Sequence, residues 1–279
     1  MNSKDRALVL VIGGSGTGKT HYGAQLLERL KHRSGHLRLR GAVQNALPFE
    51  LALARLGQGL ASDHTPRDVY DVVDLEVQDA ASSEINLTWP DYGGEQVTNL
   101  LETRRLSVGW RERVLQSNSW LFLIRLNSLR IDEDILSRPT ASVKEEDLKP
   151  VLWSAQAQLI ELLQMLLYAK HVGMLRRVAV PKIAVMLSCW DEMGQIDQET
   201  SPPALLASRL PLVAQFLSAT WAPGSYSVYG LSSLGKTLRK DEPDDDYLNS
   251  GPEQFGYIVM PDGSRTPDLT APIADLAKF

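Results

Sequence analysis

Cysteine is almost absent from the sequence, which contains only Cys189 among its 279 residues. A single cysteine excludes an intramolecular disulfide and suits a reducing compartment, so we expect the protein in the cytoplasm. Long apolar runs are also absent. Residues 1–6 are polar, and the apolar run after them is too short for a signal-peptide core. The most apolar later stretch, Leu159–Tyr168, contains Glu161 and Gln164 and falls short of the roughly 20 apolar residues that cross a bilayer, so we expect a core-facing helix and no transmembrane segment.

An excess of positive charge is lacking as well, because the formal net charge is -5. Binding to a phosphate backbone usually requires a clearly basic surface, so we do not expect nucleic acid as a partner. One local basic cluster, Lys31–Arg40, is interpreted as a solvated face, with contact to an acidic partner as the alternative. Its histidines, His32 and His36, flank Ser34 and Gly35. That spacing does not suit a helical metal pair, so we predict no zinc site.

The strongest pattern lies near the start, where a glycine-rich loop joins a strand pattern to a helix pattern. Arg6–Ile12 is a continuous aliphatic run, typical of a strand buried on both faces. It leads directly into Gly13–Thr20, which matches G-x-x-x-x-G-K-[ST]. After it, Tyr22, Leu26 and Leu30 recur at helical spacing. This order predicts a phosphate-binding loop, and a glycine-rich turn that binds nothing is the alternative.

Each residue type in such a loop has a chemical reason. Glycines let consecutive backbone N–H groups turn toward the β-phosphate, at the positive end of the following helix. Lys19 reaches the β- and γ-phosphates, and the Thr20 hydroxyl ligates Mg²⁺. We therefore predict nucleotide contacts from a consecutive set of residues: Gly13, Gly14, Ser15, Gly16, Thr17, Gly18, Lys19, Thr20 and His21.

A second motif follows two strand patterns, Tyr70–Val77 and Glu84–Trp89, which predict a hairpin around a polar turn. The second strand runs into Asp91-Tyr-Gly-Gly94, which contains D-x-x-G. The aspartate can join the shell of Mg²⁺, and the bare backbone of Gly94 can approach the γ-phosphate and so sense it. An Asp and a Gly in an ordinary turn are the alternative.

Further strand patterns end in polar residues. Ser119–Ile124 and Pro181–Ser188 are buried-strand patterns, and the second delivers Asp191 to its carboxyl end, where α/β proteins bind ligands. A last strand, Ser225–Gly230, leads to Ser232. These patterns predict a main domain over residues 1–240.

The remaining residues, 241–279, are predicted to form a C-terminal extension that packs on the main domain. Lys240–Tyr247 is acidic and contains a proline, which predicts a solvated loop. Gly256–Met260 predicts a short added strand, and Thr270–Phe279 a short helix.

Three segments, Gly13–Thr20, Trp89–Glu95 and Leu187–Glu192, make the sequence resemble the translation-factor-related class of P-loop GTPases. Within that class it resembles the bacterial double-GTPase family, whose members are predicted to act in conflict or defence systems. The resemblance implies a GTP-binding domain of Ras-like fold that works with a second, related GTPase or with an effector. We therefore expect a three-layer α/β fold with a mostly parallel sheet, one antiparallel strand from the hairpin, and helical insertions.

The resemblance also implies roles for single residues. In this class a threonine closes over Mg²⁺ and the γ-phosphate, and Thr65 lies where that threonine is expected, with a helix N-cap or turn as the alternative. The class recognises guanine through N-K-x-D, in which Asp191 occupies the aspartate position and capping is its alternative role. Ser188 and Cys189 replace the asparagine and the lysine. The stacking stem is therefore lost, and Trp190 could supply a ring instead.

Catalysis in this class needs a group that orients the attacking water, commonly a glutamine directly after D-x-x-G. Here that position holds Glu95, followed by Gln96, and these two residues with Lys19 are the catalytic candidates. A carboxylate there would be repelled by the phosphate charge, so turnover is expected to be slow unless an arginine offsets it. Three arginines lie near the segments that would sense the γ-phosphate: Arg67, Arg104 and Arg105. Each could supply that catalytic charge, and a surface salt bridge is the alternative role of each.

The function predicted from these motifs is a GTP-binding and GTP-hydrolysing switch with GTP or GDP, Mg²⁺ and a protein partner as its ligands. Ser232 lies where the family contacts guanine through backbone N–H groups. Two alternatives stay open. One is a nucleotide-gated scaffold with negligible hydrolysis, and the other is an ATP-using P-loop enzyme, which the degenerate guanine motif allows.

Overall fold

One mixed sheet forms the centre of the chain. The computed structural model describes residues 7–32, 34–43, 45–62, 70–92, 95–129, 154–173 and 176–278. Within these ranges the strands are β1 (Ala7–Gly13), β2 (Arg38–Leu39), β3 (Tyr70–Gln78), β4 (Glu84–Tyr92), β5 (Ser119–Ile124), β6 (Lys182–Ser188), β7 (Tyr226–Ser232), β8 (Tyr257–Val259) and β9 (Arg265–Thr266). Their order across the sheet is β2-β3-β4-β1-β5-β6-β7-β8-β9.

Helices cover both faces of the sheet. They are α1 (Lys19–His32), α2 (Leu47–Leu56), α3 (Glu95–Thr103), α4 (Val108–Gln116), α5 (Ala155–Ala169), α6 (Gln195–Glu199), α7 (Pro202–Arg209), α8 (Pro211–Thr220), α9 (Asp245–Ser250) and α10 (Ala271–Ala277). Side-chain oxygens of Ser107, Ser154 and Asp244 accept N–H bonds at the starts of α4, α5 and α9, which satisfies otherwise unpaired donors. Among the described helices, none is long and apolar enough to cross a membrane.

The strand directions follow the predicted pattern with one addition. β1 pairs in parallel with β4 and β5, and β6 and β7 continue in the same direction. β3 runs antiparallel to β4 along the predicted hairpin. β8 is a second reversed strand, since it pairs antiparallel with β7. The three-layer α/β fold with a mostly parallel sheet is therefore confirmed, with one reversed strand more than predicted.

Strand β1 shows why the sheet is covered on both faces. Leu10 and Ile12 belong to one buried cluster, and Val9 and Val11 belong to the other, because successive side chains of a strand point to opposite faces. The first cluster includes residues of α3, α4, α5, α7 and α8, and the second includes residues of α1, α2 and α10. A strand buried in this way needs apolar residues at every position, which accounts for its continuous aliphatic sequence.

The C-terminal extension departs from the prediction in its acidic stretch. A solvated loop is predicted over residues 240–247, yet α9 begins at Asp245 and Tyr247 is fully buried. The Tyr247 ring stacks on Phe255 with the ring centroids 4.0 Å apart, and its hydroxyl donates to the Leu234 carbonyl. The prediction is wrong for Tyr247 because one aromatic residue in a charged run leaves no periodic signal.

Helix α1 is fastened to this extension by polar side chains at a buried interface. The Tyr22 hydroxyl donates to the carbonyl oxygen of Leu269 at 2.8 Å. Arg29 is only 4% exposed, and its guanidinium donates to the carbonyl oxygens of Pro267 and Phe255. Buried donors and acceptors are costly to leave unpaired. These bonds therefore fix one side of α1 against the last part of the chain.

Candidate functional site

The loops that carry the predicted site residues meet at one edge of the sheet. Parallel strands place their carboxyl ends together, and the register pairs Gly13 with Leu123, Ile124 with Leu187, and Ser188 with Leu231. Residues 13–20, from the last residue of β1 to the second residue of α1, are called the phosphate loop below. The segment after β6, residues 189–192, is called the base loop. The sheet thus brings the two predicted nucleotide-binding motifs to the same edge, with the end of β5 between them.

The phosphate loop has the backbone of a tight, glycine-dependent turn. Gly16 and Gly18 have φ angles of +67° and +77°, a region that residues with a Cβ atom rarely adopt. The Lys19 ammonium is buried and donates to the carbonyl oxygens of Gly13 and Gly14 at 2.9 and 2.8 Å. The lysine ammonium is therefore held by the carbonyl groups of the first two residues of the loop.

The remaining residues of the phosphate loop surround this centre. Ser15 is exposed at the turn, whereas Thr17 is buried and donates from its hydroxyl to the Gly14 carbonyl at 3.0 Å. Gly13 has no room for a side chain, because an added Cβ would lie 2.8 Å from Thr17 Oγ1. Thr20 lies in the first turn of α1 and is partly buried. Its predicted role as a metal ligand requires such a position at a helix start.

His21, the residue directly after the phosphate loop, contacts Ser62, which lies three residues before Thr65. Its Nε2 accepts from the Ser62 backbone N–H at 3.1 Å and lies 2.8 Å from Ser62 Oγ. Thr65, the predicted switch threonine, follows shortly after Ser62 but lies outside the described residues, as does Gly94. The structure therefore adds a side-chain contact for His21 that the sequence did not indicate.

The second motif begins at the same edge of the sheet. The pairing of β1 with β4 reaches Leu10 and Thr88, so Asp91, farther along β4, lies near the level where β1 enters the phosphate loop. Glu95 is the first residue of α3, and Gln96 follows it with a half-buried side chain. The candidate for metal binding thus lies near the end of β4, and the two candidates for water orientation begin α3.

The two residues predicted to recognise guanine are in direct contact. Ser232 Oγ donates to Asp191 Oδ1 at 2.5 Å. The same Ser232 oxygen accepts from the Gly235 backbone N–H at 2.8 Å. Ser232 is buried and Asp191 is partly buried. The bond from Ser232 holds one oxygen of the Asp191 carboxylate in place, shortly after the end of β6.

Trp190 does not supply a stacking ring for a base, so that expectation is wrong. The side chain is fully buried, and it covers Gly230 so closely that an added Cβ there would lie 2.4 Å from Trp190 Cε3. The physical reason is the left-handed conformation of Cys189, with φ of +55°, which turns the next residue into the core. Asp191 therefore lies at the edge of the sheet directly after a buried tryptophan in the sequence.

Cys189 takes the position of the missing lysine but carries no charge. Burial raises the pKa of its thiol to about 12, and the nearby Glu192 carboxylate acts in the same direction. The sulfur lies against the phosphate loop, since a Cβ added to Gly18 would be 3.8 Å from it. The thiol therefore packs the base loop against the phosphate loop as a neutral group.

Arg125 is a residue of this site that the sequence analysis did not identify. It follows β5, and its Nη1 donates to the Gly16 carbonyl at 3.1 Å. Its Nε and Nη2 donate to the Glu192 carboxylate at 3.0 and 2.7 Å. Asn127 adds a bond from Nδ2 to the Glu192 carbonyl at 2.8 Å. The sequence does contain a signal for this residue. Arg125 directly follows the buried-strand pattern Ser119–Ile124, at a carboxyl end where α/β proteins bind ligands.

Other predicted groups lie elsewhere or carry structural contacts. Arg104 pairs with Glu161 at 2.8 Å, the salt-bridge alternative considered for it, and Arg67 lies outside the described residues. In the part of the chain that the structure describes, no group of three or more His, Cys, Asp and Glu side chains could hold a metal ion. A magnesium site built mainly from phosphate, water, a hydroxyl and one carboxylate needs no such group.

No curated protein matches the sequence. Among solved structures, the Arl6 (BBS3) small GTPase of Trypanosoma brucei with a bound nucleotide analogue, GppNp, is similar at 12% identity and a TM-score of 0.41, over 83% of this chain and 90% of that chain. The model of a family described as double-GTPase 1 matches residues 10–276, from within β1 to within α10. Since that match spans nearly the whole sequence, the chain belongs to the double-GTPase 1 family.

Proposed function

We propose that the protein is a switch that binds GTP and hydrolyses it with Mg²⁺. The observation that carries the proposal is the contact between Asp191 and Ser232 at the sheet edge that also holds the phosphate loop. An anchored carboxylate can accept hydrogen bonds from the N1–H and 2-amino groups of guanine, a pattern that adenine does not offer. This supports guanine over adenine even though the N-K-x-D motif is degenerate.

The phosphate loop provides the affinity for the nucleotide. Backbone N–H groups of residues 13–20 would surround the β-phosphate, at the positive end of the α1 dipole. The Lys19 ammonium now bonds two loop carbonyl groups, and phosphate oxygens would take part of that role when nucleotide binds. His21, the next residue, would contact the nucleotide through its backbone while its ring holds Ser62.

Magnesium is the proposed cation because the residues proposed to hold it carry oxygen donors. Thr20 offers a hydroxyl in the first turn of α1 and Asp91 a carboxylate near the end of β4, and Thr65 is the proposed third ligand. Oxygen donors of this kind suit a hard cation that keeps several waters and phosphate oxygens as ligands. When bound, the ion would neutralise charge on the β- and γ-phosphates.

Turnover is proposed to be slow in the isolated chain. Glu95 begins α3 where a glutamine would orient the attacking water, and Gln96 is next to it. A carboxylate close to the γ-phosphate is repelled by it. A related GTPase or an effector, in a cytoplasmic bacterial conflict or defence system, would then supply what the site lacks, such as an arginine.

The first experiment measures binding and single-turnover hydrolysis with the full chain. Calorimetric titration in magnesium buffer should give binding of GTP and GDP and far weaker binding of ATP. Phosphate release from bound GTP should be faster than in the Lys19→Ala protein. Binding without faster release would instead favour a nucleotide-gated scaffold, and a preference for ATP would overturn the guanine assignment.

The second experiment tests the carboxylate that reads the base. Asp191→Asn replaces an acceptor by an amide that can donate, so preference should move from GDP toward the xanthine nucleotide, whose C2 carries an oxygen. Competition between GDP and XDP against a fluorescent GDP measures this preference. If the ratio of the two affinities is the same as in the unmodified protein, Asp191 does not read the base.

A further inference from the structure

We propose that Arg125 and Glu192 form a strap that joins the phosphate loop to the base loop and sets how long the bound nucleotide stays. This inference rests on the proposed nucleotide site and assigns it a positioning residue outside both motifs. The observation behind it is that one guanidinium bonds both loops at once, through Gly16 and through Glu192.

The position of Arg125 follows from the strand order. β5 lies between β1, which enters the phosphate loop, and β6, which enters the base loop. Ile124, the last residue of β5, is level with Leu187 in the pairing with β6. The next residue therefore emerges between the two loops. A side chain as long as arginine, with several donors in a rigid fork, can bond a partner on each side.

The two ends of the strap differ in chemistry. On the base-loop side, Nε and Nη2 face the Glu192 carboxylate, with contacts of 2.7 to 3.0 Å, the geometry of a paired guanidinium and carboxylate. On the phosphate-loop side, Nη1 donates to a single backbone carbonyl, that of Gly16, at 3.1 Å. The side chains of Arg125 and Glu192 are 32% and 20% exposed, so solvent screens the pair only in part.

The bond to the Gly16 carbonyl has a consequence for phosphate binding. In a trans peptide the C=O and the following N–H point in opposite directions. A guanidinium that holds the Gly16 oxygen therefore keeps the Thr17 N–H pointing away from Arg125. That amide belongs to the loop proposed to surround the β-phosphate. Arg125 thus orients a phosphate donor without touching the phosphate itself.

At the base-loop end, Arg125 bonds Glu192, the residue next to Asp191, whose carboxylate is proposed to read the base. Glu192 directly follows Asp191, and its backbone carbonyl is also bonded by Asn127 at 2.8 Å. Cys189, at the other end of the base loop, stays neutral. Arg125 is therefore the cation that holds the base loop to the phosphate loop. Fixing two loops in the bound geometry before ligand arrives slows their opening and so slows release.

The test is the dissociation rate of a fluorescent GDP from the full chain in magnesium buffer. Arg125→Ala should release it about tenfold faster, because a hydrogen bond to a charged group contributes about that factor to an equilibrium. Glu192→Gln keeps the shape and removes the charge, so it should also release faster. In the double variant the two effects should not add, since both changes break the same strap.

The matched control is Arg40→Ala. Arg40 forms an arginine–glutamate pair with Glu84 at 2.8 Å, at the start of β4 and therefore at the opposite edge of the sheet. Its removal should leave the release rate unchanged. Because Arg125 positions the loops and does not read the base, the ratio of GDP to ADP affinity should stay constant in Arg125→Ala.

Two results would overturn the strap. One is release from Arg125→Ala and Glu192→Gln at the rate of the Arg40→Ala control. The other is a changed base preference in Arg125→Ala, which would make Arg125 a base-reading residue. If the unmodified chain retains no GDP at all, the proposed function itself fails, and that outcome is distinct from both.

Discussion

Gly230, in β7, lies directly against the buried ring of Trp190, and replacing it with alanine tests how the base loop is supported. An added Cβ would lie 2.4, 2.7 and 2.8 Å from three atoms of the indole. Gly230 is not among the residues with positive φ, so the penalty of Gly230→Ala comes from crowding alone. Trp190 must move, and Asp191 is its neighbour in sequence.

The size of the effect follows from the cost of overpacking. Forcing an extra methyl group into a filled core costs about 2 kcal/mol. For a chain of this size each kcal/mol lowers the melting temperature by about 2 °C, so Gly230→Ala should melt roughly 4 °C lower. Because the moving indole carries Asp191 with it, GDP binding should weaken as well.

Thermal melting followed by circular dichroism and titration with fluorescent GDP are the two assays. Gly194→Ala is the matched control, since Gly194 lies two residues after the base loop with φ of -61° and an added Cβ there meets no atom within 4 Å. Trp190→Phe should reduce the penalty of Gly230→Ala in the double variant, because the smaller ring leaves room. If Gly230→Ala melts and binds like the Gly194→Ala control, the contact with Trp190 does not support the base loop.

Two further predictions concern the ends of the chain. Burial acts to raise the pKa of Asp268, but hydrogen bonds from Thr270 and His36 outweigh it and hold the pKa below its usual value. A lowered pKa adds folding stability above the unfolded-state pKa of about 3.9. That stability is lost as the pH falls through the folded-state pKa. The urea midpoint should therefore fall more steeply below about pH 4 in the unmodified protein than in Asp268→Asn, and parallel curves would contradict this assignment. Arg29→Met should lower the free energy of unfolding by about 2 kcal/mol, because the carbonyl groups it now bonds lose their donor. The surface pair removed by Arg40→Ala should cost less than about 1 kcal/mol, and equal urea midpoints for the two variants would refute the role of Arg29.

The sequence was enough to predict the sheet and the phosphate loop because both leave local patterns. Continuous aliphatic runs predicted β1, β5 and β6, and the alternating run after the polar turn predicted β4. The glycine spacing predicted a turn in which Gly16 and Gly18 adopt positive φ. Each of these features depends on residues that are close in the chain.

The misses share a physical cause, which is that they depend on contacts between distant segments. The direction of Trp190 is set by the left-handed backbone of Cys189 and by the absence of a side chain at Gly230. Tyr247 is buried because it packs in one cluster with Leu56 and Ala61, which lie far from it in the sequence. No periodicity in the acidic stretch or in the base loop carries that information, because packing overrides local preference.

The order of the strands is compatible with the proposed nucleotide site, although the base motif is degenerate. Across the carboxyl edge the order β4-β1-β5-β6-β7 puts Asp91, the phosphate loop, Arg125, Asp191 and Ser232 in sequence. In the proposed function, a nucleotide along this edge meets the proposed metal ligand, then the phosphate loop, then the residues proposed to contact the base. β5 lies between the strands that carry the phosphate loop and the base loop, so a cation at its end can bond both loops. The base loop has Cys189 where the motif has a lysine, so that cation is missing from it. Arg125, at the end of β5, provides a cation that bonds both the base loop and the phosphate loop.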